Sequence, residues 1–99
     1  MKETIELLNP IEFHGQTITG IELDFEMLTG EVLIRIDREF MAADRMNEAV
    51  NIREYSKEYQ ILTASHLSGL PMEFYHNIKA RDFSAITTRV QHFFIGIDS

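Results

Sequence analysis

Apolar and polar positions change period partway along this chain. In the first part, "TIELLNPIEFHGQTITGIELDF", short apolar runs alternate with turn residues, and Ile18, Ile21, Leu23 and Phe25 are β-formers. Asn9-Pro10 and His14-Gly15 punctuate it, so the pattern predicts a small antiparallel β-meander or hairpin with a turn at His14 to Gln16. The next run, "EVLIRIDREFMAAD", fits two templates. Val32, Ile34 and Ile36 alternate as in a strand, whereas Leu33, Ile36, Phe40 and Ala43 recur at helical spacing. Thr29 as an N-cap, Glu31 in the first turn and the helix formers from Glu39 to Asp44 favour the helix. The pattern leaves open whether Thr29 to Asp44 is helical throughout.

"RMNEAVNIREY" sustains no period and predicts a loop over Arg45 to Tyr55. Ser56 then caps a helix, "SKEYQILTASHLSG", with Tyr55, Tyr59, Leu62 and His66 near one face and Gly69 as its left-handed stop. Pro71 suits the first turn of a short helix running to about Ile78, and Asp82 is placed to cap the last helix. That helix has the strongest stripe: Phe83, Ile86, Val90, Phe93 and Ile97 on one side, with Ser84, Thr87, Arg89 and Gln91 on the other. The expectation is an α+β fold, in which a small N-terminal β unit (about 1–27) precedes three to four amphipathic helices (about 29–97). No repeat or linker-like tract divides the chain, so residues 1–99 are expected to form one domain.

Composition refines this picture. A chain of 99 residues, 44% hydrophobic and 25% charged, is expected to fold but cannot bury all of its helical surface, which makes homo-oligomer formation a reasonable expectation. The net charge of -7 disfavours broad nucleic-acid binding. Zero cysteines exclude disulfides, thiolate metal sites and cysteine nucleophiles. No apolar run reaches the ~18 residues of a membrane span and the N-terminus lacks a signal-peptide core, so the expectation is a cytoplasmic protein without membrane contact.

Candidate chemistry is sparse. His14 lies in the expected turn, and His66, His76 and His92 fall on three separate helical segments without a metal-binding spacing. Glu22, Asp24 and Glu26 alternate along a strand, Asp37 and Asp44 are a heptad apart, and a solvated face accounts for all five. There is no phosphate-binding glycine loop, and Ser56, Ser65 and Ser84 lack a nucleophile-elbow context. The expectation is therefore no catalytic, metal or cofactor site. The aromatics carry more information. Phe83, Val90 and Phe93 read as core, whereas Phe94 and Ile95 fall beside the stripe, where a sheet or a second chain would cover them. Together with Tyr75 they form the candidate partner or self-association surface.

Taken in order, "NPIEFHGQTITGIELDFEMLTGEVLIRIDREF" and "SKEYQILTASHLSGLPMEFYHNIKARDFSAITTRVQHFF" resemble the phage tail assembly chaperones of the E, 41 or 14 type, over roughly Leu8 to Phe94. The resemblance rests on a Pro-Ile opening and a Gly-centred turn, then Leu28-Thr29-Gly30 and Ser56 to Tyr59 as helix starts. It continues through the Gly69-x-Pro71 break, Asp82-Phe83, and the Phe93-Phe94 ending. Where that family tends to be alanine-rich, this chain has Thr63, Ala64, Ser65 and His66. The resemblance implies a non-enzymatic protein of the host bacterial cytoplasm that binds the phage tape measure protein, keeps it soluble and helps recruit tail tube protein. A tail component that stays in the virion, a small regulatory adaptor, and a metal hydrolase using His66, His76 or His92 are the competing readings.

Overall fold

A computed structural model describes residues 2–96. Strands β1 (Lys2–Phe13) and β2 (Gln16–Asp24) form an antiparallel hairpin, followed by α1 (Gly30–Ala43), α2 (Lys57–Ser68), α3 (Met72–Asn77) and α4 (Ala80–Ile95). The fold is α+β, as the pattern predicts, with a two-stranded hairpin as its β unit. The turn falls at His14 and Gly15, both with positive φ (50° and 78°), the backbone that a two-residue hairpin loop needs to match strand twist. The last stripe residue expected in the sequence, Ile97, lies outside the described residues.

Asn9-Pro10 does not turn the chain. It sits inside β1, in a wide bulge where Leu7, Leu8, Asn9 and Pro10 together oppose Thr19, between the pairs Glu6↔Gly20 and Ile11↔Ile18. Pro10 has no N–H to give the ladder, and the Leu8 and Asn9 N–H groups turn away from β2. They donate instead to the carboxylate of Asp82, Leu8 to Oδ1 at 2.7 Å and Asn9 to Oδ2 at 3.0 Å. Asp82 is 2% exposed and is the third residue of α4, so the expectation that it caps the helix is corrected. Lys79 holds the cap position, with no side-chain cap bond. Asp82 thus stands in the first turn, where the helix dipole favours a carboxylate, and spends both oxygens on the strand. Beside the bulge, a Cβ at Gly20 would lie 3.1 Å from the Ile5 carbonyl oxygen, so a larger residue there would push the paired strand back by a few tenths of an ångström.

The helix starts follow their local chemistry. Val32 N–H donates to Thr29 Oγ1 at 3.2 Å and Tyr59 N–H to Ser56 Oγ at 3.4 Å, which makes α1 a helix and begins α2 where the sequence places it. Gly69, at φ 80°, ends α2 in the left-handed conformation. Pro71 caps α3 rather than occupying its first turn. The aperiodic Arg45 to Tyr55 stretch contains two 3-10 turns, Arg45–Ala49 and Arg53–Tyr55, and the guanidinium of Arg53 pairs with Asp37 of α1.

α2 occupies the centre, with β2, α1, α3 and α4 packed around it. It buries Tyr59, Gln60, Ile61, Thr63, Ala64 and Leu67, which lie around most of its circumference. Thr63 fits this dry setting because its hydroxyl donates to the Tyr59 carbonyl of its own helix at 2.9 Å, so a threonine packs where a small apolar residue would. Thr87 of α4 is likewise buried, correcting its assignment to the polar side, and its hydroxyl donates to the Ser84 carbonyl at 3.2 Å. The larger core cluster joins the hairpin to α2, α3 and α4, and the smaller one comprises Ile36, Phe40 and Tyr59. A second tie between β1 and α4 comes from Arg89, whose Nε donates to Glu3 Oε1 at 3.2 Å while its guanidinium lies 4.6 Å from the centre of the Phe25 ring.

Asp82→Ala is expected to lower stability by about 3 kcal/mol, because it strands two amide donors that otherwise bond to a charge. Asp82→Asn, which keeps one acceptor oxygen, is expected to cost about half as much on the same grounds. Urea unfolding of the two variants beside the parent measures both. A loss under 1 kcal/mol for alanine would show that the bulge does not depend on the carboxylate.

Candidate functional site

The sequence singles out Tyr75, Phe94 and Ile95 as a surface, and the structure separates them. Tyr75 is 0% exposed, which corrects its place in the group: it is a core residue of α3. Its ring meets Phe74 edge to face at 5.1 Å, and its hydroxyl shares a 2.6 Å hydrogen bond with Ser68 Oγ and donates to the Ala64 carbonyl at 3.3 Å. Burial pushes this hydroxyl up to about 12, opposed by the Ser68 bond. A tyrosine near the end of a short helix looks exposed in sequence because nothing local reveals the partner waiting for its hydroxyl.

Phe94 is half-buried and lies against both core clusters, 6.1 Å from Phe93 and 5.9 Å from Tyr59 by ring centres. Phe93 in turn stacks on Phe25 at 4.6 Å. Phe94 therefore welds the α1 side of the molecule to the hairpin side. Tyr59, at the centre of the smaller cluster, also has its hydroxyl pushed up to about 12, by burial first and then by the nearby carboxylates of Glu54 and Asp37. Ile95 is 40% exposed at the end of α4.

Other exposed apolar residues lie in the segment before α2. The buried Gln60 side chain donates both to the Glu54 carbonyl at 2.8 Å and to Gln91 Oε1 at 3.1 Å, which places the 53–55 turn beside the second half of α4. Ile95 lies one helical turn beyond Gln91 on the same face, and Tyr55, 52% exposed, follows Glu54 directly. Ile52 and Met46 are exposed in the same irregular segment. Met46 and Ile52 escaped the sequence reading because an aperiodic stretch assigns no face to its side chains, and Tyr55, expected on the face of α2 with Tyr59, lies instead in the 3-10 turn before that helix. The available signal was its apolar content, since Met46, Val50, Ile52 and Tyr55 are dense for a solvated loop.

The histidines spread out. His14 faces Glu73 at 3.7 Å, His76 faces Glu58 at 3.1 Å, and His66 pairs with Glu39, each linking two different elements through a single carboxylate. Among the described residues, no group of three His, Asp or Glu side chains comes together to hold a metal ion. Two shallow grooves, of about 370 and 430 Å³, flank the hairpin. The first runs beside β2 with Ser68 and Leu70, and the second lies between the hairpin turn, Glu73 and Asn77. Among the described residues, no helix is long and apolar enough to cross a membrane.

A hairpin fixed on four helices, with several apolar side chains left exposed, defines a small α+β protein. The chain belongs to the phage tail assembly chaperone proteins, E, or 41 or 14, whose family model matches residues 4–95. No curated relative and no solved structure matches it.

Tyr75→Phe is expected to cost about 1 kcal/mol, by removing the bonds to Ser68 and Ala64, and to leave the particle mass in solution that of the parent. Both raised tyrosines also set an alkaline limit. An unfolded tyrosine ionises near pH 10 and these near 12, so from pH 10 upward the unfolded chain releases protons that the folded chain keeps. Stability conferred below pH 10 is therefore expected to fall between pH 10 and 12, and less steeply in Tyr75→Phe. Urea midpoints across that range, with light scattering at neutral pH, check both statements.

Proposed function

We propose that this protein binds the phage tape measure protein, keeps it soluble before tail tube subunits enclose it, helps recruit those subunits, and works in the host bacterial cytoplasm as a self-associating, non-catalytic chaperone. The observation that carries the reading is the family match over residues 4–95. The physical character of the molecule supports it. A tape measure chain is long and largely helical, and apolar stripes on such a chain need cover until the tube supplies it. Ile95 at the end of α4 and Met46, Ile52 and Tyr55 in the segment before α2 offer exposed apolar contact area of that kind, and a net charge of -7 keeps a coated complex soluble.

Coating also suits several weakly bound copies better than one tight one. Copies held along a single chain meet each other at raised effective concentration, so modest self-affinity suffices. The working surface in this reading centres on Ile95 and Tyr55, with Phe94 contributing its half-buried ring edge. Phe94 is a poor test residue, because a charge there would break the weld between the two core clusters.

Co-expression with the tape measure protein tests the proposal, scored as partner in the soluble fraction and partner co-purified. The parent chain is expected to raise soluble partner several-fold and to bind in more than one copy. Ile95→Asp and Tyr55→Asp are each expected to reduce co-purification about tenfold, as loss of a contact residue worth 1–2 kcal/mol would. Their urea midpoints are expected to stay within 0.5 kcal/mol of the parent, as for exposed sites away from structural features. No soluble partner with the parent chain would remove the reading, and full co-purification by both variants would remove the surface from it.

A further inference from the structure

The two outer edges of the hairpin are built differently. On β1 the bulge breaks the ladder, Pro10 has no N–H to offer, Asp82 takes the Leu8 and Asn9 amides, and Arg89 of α4 holds Glu3. An open strand edge is a template for another strand, and a bulge, a proline and a covering helix are the features that blunt one. β2 has none of them. It runs nine residues, Gln16–Asp24, without lysine or proline, and the extra residues of the bulge all belong to β1. Among the described residues, no backbone group of a helix or loop hydrogen-bonds to the backbone of residues 16–23.

The groove of about 370 Å³ follows this edge. Its lining takes in six successive residues, Thr17 to Glu22, with Ser68 and Leu70 as the other wall. Successive side chains of a strand point to opposite faces, so a groove on one face would touch every second residue. A groove that touches six in a row borders the backbone edge. In an antiparallel ladder, alternate residues aim both N–H and C=O away from their partner, and on β2 these groups are left facing the groove. Thr19 is the residue of β2 with no Cα partner in β1, because the bulge carries β1 past it.

We infer that β2 pairs antiparallel with β2 of a second copy about a two-fold axis at Thr19, joining two hairpins into one four-stranded sheet. The occupant follows from the strand's own charge. Residues 16–21 carry none, and Glu22 and Asp24 put all of it at one end. Reversal about Thr19 sets each Glu22 opposite an uncharged Gln16 and threonine opposite threonine, a favourable cross-strand pair. The two Glu22 carboxylates then stand roughly 20 Å apart along the strands, at 3.4 Å per residue. A parallel pair in register would set them side by side. The arrangement also closes, because β1, blunted by Pro10 and α4, forms both outer edges of the joined sheet and growth stops at two copies. Four strands moreover meet the number a sheet needs to be stable, which two do not. The inference gives the self-association of the proposed function its surface and rests on that part of it alone.

The experiment uses the full chain without the tape measure protein. Sedimentation velocity over a range of concentrations is expected to show the parent reaching twice the mass of one chain. Thr19→Lys, an exposed position that sets two cations opposite each other across the axis, is expected to weaken the dimer by about tenfold or more. Its urea midpoint shows whether the variant folds as the parent does. The chain has no cysteine, so a single one reports its own neighbour. Under copper phenanthroline, Thr19→Cys is expected to form a disulfide between copies and Arg35→Cys, exposed on α1, to stay monomeric on a non-reducing gel. A parent that remains one chain at every concentration, a dimer indifferent to Thr19→Lys, or cross-linking at Arg35→Cys as fast as at Thr19→Cys would overturn the inference. None of these outcomes bears on tape measure binding, which Ile95→Asp and Tyr55→Asp score with a different partner.

Discussion

Two hydrogen bonds between the Asp82 carboxylate and the Leu8 and Asn9 amides hold the hairpin to the helices. A two-stranded hairpin is marginal on its own, and β1 further loses its ladder across four residues. Asp82 makes that loss tolerable: it satisfies both freed donors, sits at the favourable end of the helix dipole, and fixes where along α4 the strand crosses. Arg89 repeats the tie two turns later through Glu3, so α4 grips β1 at two points and the Leu23 and Ile21 side of the hairpin stays on α2. Without the first grip, the leucine pair Leu7-Leu8 would lose the division that sends Leu7 to the core and Leu8 to water.

The rest of the core depends on aromatic rings that cross the gap between its two clusters. Phe94 reaches Tyr59 on one side and Phe93 on the other, and Phe93 stacks on Phe25 at the end of the hairpin. A ring chain of this kind packs the last turns of α4 against both clusters. In the proposed chaperone role that packing has a use: it would present Ile95 from a frame already formed, lowering the cost of ordering the surface a partner meets.

Much of this was legible in the chain. The alternating strands, Thr29 and Ser56 as caps, Gly69 as a stop and the stripe of α4 are local signals, and each element formed where its signal stood. What stayed hidden is long-range. Asp82 reads as a cap because sequence cannot show a strand 74 residues away that needs its oxygens. Asn9-Pro10 reads only as punctuation of the run because a bulge and a turn use the same residues, and Tyr75 reads as surface because its hydroxyl finds Ser68 and Ala64 only after α2 and α3 pack. Of the candidate surface, Ile95 was visible as a residue beside the stripe. Ile52 was not, since its segment has no period, and Tyr55 reads as part of a helix face because Tyr59 follows it by four residues, while the adjacent leucines at 7 and 8 offered an unused hint: a strand cannot bury two neighbours on one face.

Hydrogen exchange of the chain alone and in complex with the tape measure protein tests the central claim most directly, that a preformed helical frame offers the end of α4 to its partner. The account predicts an unchanged, protected core and new protection confined to the segments around Ile52 to Tyr55 and the last turn of α4. Protection that appears instead throughout α1 and α2, or no new protection in a complex that demonstrably forms, would contradict it.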